Sequence, residues 1–149
     1  MKKLSFGLFL VSAGFTALFA NAEGPLVTKS SGAGFTPPEN GGGVQCDVYK
    51  DKVVITKVFG RSTPSSFVLT EERKISLSKD LTSVVELAKA EKIEEKPNSL
   101  CDAPASSIVA GTDLVLYSTG GCGTPAKKRQ GPASSKLVQL VNVFCPNTF

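Results

Sequence analysis

The sequence predicts an α+β domain held together by disulfides, with a small antiparallel sheet of two hairpins and two helices packed on one face. Three observations lead to this fold class. β-Branched residues cluster on either side of turn residues at two places, apolar residues recur at helical spacing at two others, and four cysteines follow an export leader. A further segment would add a fifth strand.

The first hairpin is predicted over residues 44–59. Residues 44–49 and 53–59 are rich in β-formers, and the polar sequence Lys50-Asp51-Lys52 between them suits a turn. The candidate fifth strand begins at residues 67–70, where Phe, Val, Leu and Thr follow one another.

A helix is predicted over about residues 79–93, where apolar residues recur every three or four positions. Ser78 is a suitable N-cap and Asp80 a favourable first-turn residue, because helix N-termini attract hydroxyl and carboxylate oxygens. Residues 136–145 are also predicted to be a helix, on the spacing of Leu137, Val141 and Phe144. A final strand is the alternative there, since that segment also contains several β-formers.

The second hairpin is predicted over residues 105–117, with Gly111-Thr112 as a two-residue turn. If Ala110 faces Asp113 across that turn, the same register places Cys101 opposite Cys122. A Cys101–Cys122 disulfide at the open end of the ribbon follows from this register.

The remaining cysteines, Cys46 and Cys145, are then expected to pair with each other. An even number of cysteines in an exported protein favours disulfides. The chain has no Cys-x-x-Cys motif and no histidine, so neither zinc nor a thioredoxin-like redox centre is predicted.

The first 22 residues are typical of a signal peptide. Lys2 and Lys3 precede a mostly apolar run over residues 6–19, and Ala20-Asn21-Ala22 suits signal peptidase. Residues 23–43, rich in Gly, Pro and Ser, are predicted to be a flexible tether, and residues 44–149 to be the single folded domain. The expected location is the periplasm or the extracellular medium.

Charge and hydropathy exclude several function classes. Removal of Lys2 and Lys3 lowers the basic count from 17 to 15 against 13 acidic residues, an excess too small for a nucleic-acid binder. No apolar stretch after the leader is long enough to span a membrane. The remaining basic excess lies in the C-terminal third. The last acidic residue is Asp113, and every charged residue after it is basic.

Few residue patterns support catalysis. Without histidine, no Ser-His or Cys-His mechanism and no histidine-metal site is available, and no cofactor is predicted. What remains is a Ser76-x-x-Lys79 pair and adjacent carboxylates such as Glu71-Glu72 and Glu94-Glu95. The alternative function is therefore a small hydrolase that uses carboxylates or the Ser-Lys pair, and it would bring these groups together with Asp102 or Asp113.

Residues 120–132 are predicted to form a long loop, and this loop is the best candidate binding surface. Backbone N–H groups at Gly121 and Gly123 and the charges of Lys127, Lys128 and Arg129 would contact an unknown protein or an anionic envelope surface. Insertion into a trypsin-like protease as an inhibitory loop is one specific form of this interpretation.

The sequence thus favours an exported, non-enzymatic binding module. It does not identify the partner or the oligomeric state.

Overall fold

The computed structural model describes residues 24–32, 34, 41–60, 67–77, 81–98 and 104–146. These residues form one eight-stranded antiparallel sheet and two helices, so the prediction of a sheet of two hairpins with at most a fifth strand is wrong. The strands are β1 (Val27–Gly32), β2 (Gly42–Val48), β3 (Lys52–Phe59), β4 (Phe67–Lys74), β5 (Lys92–Lys96), β6 (Ser106–Ala110), β7 (Leu114–Ser118) and β8 (Ala126–Gln130). The helices are α1 (Thr82–Lys89) and α2 (Pro132–Phe144), and the strand order is β4-β3-β2-β1-β6-β7-β8-β5.

Strand β1 lies in the middle of the sheet, within the segment that the sequence assigns to a flexible tether. It pairs with β2 on one side and β6 on the other, and Val27 is fully buried. The sequence does not reveal this strand, because Thr, Lys and Ser are not typical of the centre of a sheet. The strand forms because β2 and β6, on its two sides, satisfy its backbone groups.

The β2–β3 hairpin agrees with the prediction. Val48 pairs with Val53, and the Tyr49 N–H donates to the Lys52 carbonyl oxygen at 2.8 Å to close the turn. Strand β4 is present where the fifth strand was expected, but it is longer. It continues through the charged residues as far as Lys74.

The second hairpin has a different register from the predicted one. Ala110 pairs with Leu114 rather than Asp113, which leaves a three-residue turn in which Gly111 has a φ of +59°. Further along, the pairing shifts between Ile108 and Val109, and β7 gains one residue relative to β6. Leu116 is the extra residue of this bulge, and it lies in the core with 1% of its surface exposed.

Strands β5 and β8 replace the end of the first predicted helix and part of the predicted loop. Helix α1 ends at Lys89, and after two residues the chain becomes β5. Strand β8 occupies residues assigned to the loop 120–132 and pairs with β7 and β5.

Both helices contribute to a core on one face of the sheet. Val53, Val48, Val27, Ala110 and Leu114 follow one another across neighbouring strands on this face. They form one cluster with buried residues of the helices, among them Ala88, Leu137 and Val141. The prediction of a helix rather than a strand at residues 136–145 is confirmed, although α2 begins earlier, at Pro132.

The predicted disulfide between Cys46 and Cys145 is present and joins β2 to the end of α2 across 99 residues of sequence. Cys122 is also disulfide-bonded, while its expected partner Cys101 lies outside the described residues. The leader, Ser78 and Asp80 also lie outside them. No helix in the described ranges is long and apolar enough to cross a membrane.

Candidate functional site

The basic residues of the predicted loop lie within the sheet. Lys127, Lys128 and Arg129 belong to β8, which is hydrogen-bonded to β7 on one side and β5 on the other. The sequence misses this strand because Ala-Lys-Lys-Arg-Gln has no apolar alternation. The expectation of a long, free basic loop is therefore corrected.

Acidic residues of β5 pair with these lysines. Lys127 Nζ lies 3.0 Å from a carboxylate oxygen of Glu95, and Lys128 stands opposite Glu94. Gln130 donates to the Glu94 carboxylate at 2.6 Å. This hydrogen bond, together with Lys96 and Lys128, lowers the pKa of Glu94. Lys127 and Lys128 thus each have a carboxylate of β5 beside them, although the two strands together keep an excess of basic residues.

Arg129 has a structural role. Its guanidinium donates to the carbonyl oxygens of Val115 at 3.2 Å, Lys89 at 3.2 Å and Glu91 at 2.6 Å. These contacts join β7, the end of α1 and the start of β5. An arginine used in this way is not available as an anchor for a protease cleft.

Glu91 caps helix α2 from a distance in sequence. Its two carboxylate oxygens accept the N–H groups of Ala133 at 2.7 Å and Ser134 at 2.9 Å. The Ser134 side chain lowers the pKa of Glu91 most, and the two backbone donors and Arg129 lower it further, against an opposing effect of burial. Gly131 leaves room for this cap, because a Cβ at this position would overlap the Glu91 carboxyl group unless the side chain moved.

Gly121 and Gly123 lie in a short turn before β8. Gly121 and Thr124 exchange backbone hydrogen bonds of 3.3 and 3.0 Å, and Gly123 has a φ of +72°. Gly123 also lines an open groove of about 470 Å³, together with residues of this turn and of the end of β5. The groove walls include Pro97 and Pro125, and no charged side chain other than Glu95 lines it among the described residues.

The groups required for the hydrolase alternative are not gathered in one place among the described residues. Glu71 and Glu72 are neighbours on β4 and therefore point to opposite faces of the sheet. Asp113 lies in the β6–β7 turn and is exposed. Lys79 and Asp102 lie outside the described residues. Within the described ranges, no group of three or more Cys, Asp or Glu residues is placed to hold a metal ion.

The sheet face opposite the helices carries a continuous polar row. One row of eight polar side chains crosses all eight strands: Thr70, Thr56, Gln45, Ser30, Ser107, Ser118, Lys127 and Glu95. Many of these groups on this face satisfy one another. The Ser30 and Ser107 hydroxyls lie 2.8 Å apart, and the buried Asp47 accepts hydrogen bonds from Thr28 at 2.6 Å and Gln45 at 2.8 Å. These hydrogen bonds link polar side chains of β1, β2 and β6 on this face.

Strand β4 differs from every other described strand in being exposed along its full length. All eight of its residues are exposed, and it stands at the end of the strand order with β3 as its one partner among the described strands. No described strand pairs with its outer edge, so within this part of the chain the outer backbone N–H and C=O groups have no strand partner.

The exposed part of β4 is also apolar at one end. Phe67, Val68 and Leu69 are 52%, 59% and 54% exposed, and Val58 and Phe59 of β3 are exposed beside them. The Phe59 and Phe67 rings stack with centroids 4.6 Å apart. These five residues, which we call the β4 apolar patch, surround this end of the edge strand: Phe59, Phe67 and Leu69 lie on one sheet face, and Val58 and Val68 lie on the other.

The opposite edge of the sheet is protected. Strand β5 has only five residues, and four of them are charged: Lys92, Glu94, Glu95 and Lys96. Short, lysine-bearing edges discourage the addition of another strand. The contrast between the two edges leaves β4 as the exposed long edge of the described sheet. Sequence analysis recognises β4 as a strand without showing that it lies at an edge.

Comparison of the chain with protein-family models, curated proteins and solved structures finds no match. The function is therefore argued from the surfaces described above.

Proposed function

We propose that this chain is an exported, non-enzymatic binding module that holds a partner polypeptide at the outer edge of β4. The observation that carries the proposal is the full exposure of β4, with its unpaired backbone edge and the β4 apolar patch side by side. An edge strand gives affinity through main-chain hydrogen bonds, and neighbouring apolar side chains give specificity.

The edge is rigid enough for this purpose. Strand β4 pairs with β3 over its whole length, from Phe67 opposite Phe59 to Lys74 opposite Lys52. Arg73 donates to the carbonyl oxygen of Phe144 at 2.7 Å and so ties the strand to the end of α2. A surface already ordered in the free protein loses little conformational entropy when it binds.

Two features support the exported location in this proposal. The leader pattern precedes the folded region, and the described cysteines are all disulfide-bonded, with none free. Disulfides persist in oxidising compartments and are rare in the cytosol. The arrangement of β8, in contrast, gives no support to a protease-inhibitory loop, because its basic side chains face β5 carboxylates and backbone carbonyls.

Site-specific crosslinking in the producing cells tests the proposal. A photoreactive amino acid replaces Leu69 in one variant and Leu87 in a matched control, since both leucines are exposed, at 54% and 66%, and lie on different elements. We expect a discrete crosslinked adduct from position 69 and none from position 87. Absence of an adduct at position 69, or the same adducts at both positions, would overturn the proposal.

A further inference from the structure

A groove of about 350 Å³ opens where the chain enters the sheet at the start of β1. Gly24, Pro25 and Leu26 form one wall, and residues of α1 and of the β6–β7 turn form the others. The leader pattern ends at Ala22, which makes Gly24 the second residue of the predicted mature chain. The groove therefore lies where removal of the leader creates a new chain end.

The chain is held in place close to this end. The Leu26 N–H donates to the carbonyl oxygen of Val48 at 2.8 Å, and the Leu26 carbonyl oxygen accepts the N–H of Gly111 at 3.0 Å. Gly24 itself lines the groove. Since consecutive Cα atoms are about 3.8 Å apart, covalent geometry keeps the backbone nitrogen of Glu23 within about 5 Å of the Gly24 Cα. A charge on that nitrogen is thus confined to the neighbourhood of the groove.

The groove has one carboxylate without a cationic partner in the described ranges. Asp113 of the β6–β7 turn is exposed, accepts a 3.5 Å hydrogen bond from the Thr112 hydroxyl and forms no ion pair with a described residue. The other groove carboxylate, Glu86, lies 2.7 Å from Lys89 Nζ. Glu86 raises the pKa of Lys89 most, through its hydrogen bond and its charge, and Asp113 raises it further against an opposing effect of desolvation. The charge of Asp113 therefore acts within the groove, where it favours a cation.

The charges on the other flank of β1 cancel. The β2–β3 turn lies there and carries Lys50 and Asp51. These two residues and the Glu86–Lys89 pair together contribute no net charge around the start of β1, so Asp113 leaves an excess of one negative charge. A single positive group at the chain end would balance it.

We infer that this groove binds the α-ammonium group that leader removal creates at Glu23, with Asp113 as its counter-ion. Hydrolysis of the Ala22–Glu23 peptide bond leaves the carboxylate on the leader and the ammonium on the mature chain. In the precursor the same nitrogen belongs to an uncharged amide, so the contact forms only after cleavage, and it joins the start of the central strand to the β6–β7 turn. The inference rests on the export in the proposed function and is independent of binding at β4.

Titration of the terminal amine tests the inference. The mature chain is released from a fusion by a protease that leaves Glu23 first, its amines are reductively ¹³C-methylated, and NMR follows the N-terminal signal against pH. Because a nearby opposite charge raises the pKa of an amine, we expect D113N to lower the pKa of the terminal amine by about 0.5. E94Q removes the same charge from β5, four positions from β1 in the strand order, and should leave that pKa unchanged. The Glu23 carboxylate is common to all three proteins and does not affect the comparison.

Thermal stability against pH gives a second readout that needs no substitution. Nα-acetylation of the mature chain makes the terminal nitrogen an uncharged amide again. A pKa raised by folding means that the ammonium stabilises the fold below the pKa of an unfolded α-amine, about 7.7 to 8.0, and that the effect is lost as the pH rises through the folded value. We expect the acetylated chain to melt about 1 to 3 °C below the free chain at pH 6.5, with a difference that shrinks above about pH 9.

Three results would overturn the inference. These are an amine pKa that D113N lowers no more than E94Q does, equal melting temperatures of the free and acetylated chains at pH 6.5, and a first residue other than Glu23 in the mass of the exported protein. If any of these is found while position 69 crosslinks to a partner in cells, binding at β4 stands. If the amine titrates as expected while position 69 gives no crosslink, binding at β4 fails and this inference stands.

Discussion

At the scale of single residues, Glu91 shows how much one side chain can organise. It lies between α1 and β5, yet its carboxylate receives the first free N–H groups of α2. Helix N-termini leave four such donors unpaired, and α2 begins with proline and has no capping side chain of its own. A residue more than 40 positions earlier in the sequence therefore completes the helix.

Replacement of Glu91 should have a pH-dependent cost. The folded protein lowers the pKa of Glu91, so its stabilising effect is present above the pKa of an unfolded glutamate, about 4.3, and is lost as the pH falls through the folded value. We expect E91Q to melt at a lower temperature than the wild type at pH 7, with a difference that shrinks as the pH falls below about 4.

Thermal unfolding followed by circular dichroism at several pH values measures this effect. E86Q is the control, because Glu86 pairs only with Lys89 on the exposed surface of α1. A difference between the wild type and E91Q that is constant from pH 7 to pH 3 would show that the charge of Glu91 does not stabilise α2.

The effect of replacing Gly131 should depend on the same contact between Glu91 and the start of α2. Its φ of 169° is extended backbone that any residue adopts, so alanine is excluded only by the carboxyl group of Glu91. The Glu91 side chain can move away from the new Cβ, and G131A then destabilises the protein because α2 loses its cap. We expect G131A and E91A to lower the melting temperature by non-additive amounts, with the double variant close to either single one. Additive losses in the double-mutant cycle would show that Gly131 and Glu91 affect stability independently.

At the scale of elements, the sequence predicts those that have a recognisable apolar pattern. β2, β3 and β4 combine β-branched residues with a turn, and α2 repeats apolar residues at helical spacing. Strands β1, β5 and β8 are missed because their sequences are polar or charged. They are strands because of their neighbours: β1 is enclosed between β2 and β6, while β5 and β8 exchange Glu–Lys pairs.

The candidate site is only partly predictable for the same reason. The basic residues of the C-terminal third are evident in the sequence, but the placement of Lys127 and Lys128 opposite Glu95 and Glu94 depends on the pairing of β5 with β8. The exposure of Phe67, Val68 and Leu69 depends on β4 being an edge strand. Strand order is a property of long-range pairing, and local patterns do not specify it.

Helix α2 holds the fold through one narrow stripe. Ala133, Leu137 and Val141 are buried at intervals of four residues, and Leu137 has no exposed surface. We expect L137A to lower the free energy of unfolding by about 3 kcal/mol, because it removes apolar contact and leaves a cavity. V143A is the control: Val143 is 74% exposed and should change stability by less than about 0.5 kcal/mol. Urea denaturation measures both, and equal effects would contradict the described orientation of α2.

At the scale of the whole molecule, the fold joins distant parts of the chain. β1 and β2 pair with each other near one end of the sequence, and α2 returns from the other end to cover them. The buried Lys29 of β1 donates to Asn142 at 3.0 Å and to the carbonyl oxygen of Cys145 at 3.2 Å. Burial lowers the pKa of Lys29. The Cys46–Cys145 disulfide lies on the neighbouring position of β2, so a covalent and a polar contact fix the end of α2 at one place.

Loss of that disulfide should cost more than loss of any single core contact. It closes a loop with a sequence separation of 99, and the chain-entropy model assigns such a crosslink about 4 to 5 kcal/mol through restriction of the unfolded state. Because both cysteines are fully buried, alanine is the suitable replacement. We expect C46A/C145A to unfold at a markedly lower urea concentration than the wild type while retaining the sheet. Excess reductant should lower the melting temperature of the wild type well below its oxidised value.

C101A/C122A is the comparison, since Cys122 is exposed and the predicted Cys101–Cys122 crosslink closes a far shorter loop. The loss of stability in C101A/C122A should therefore be the smaller of the two. Equal stability of wild type and C46A/C145A would show that packing of α2 against the sheet holds the ends of the chain together without the crosslink.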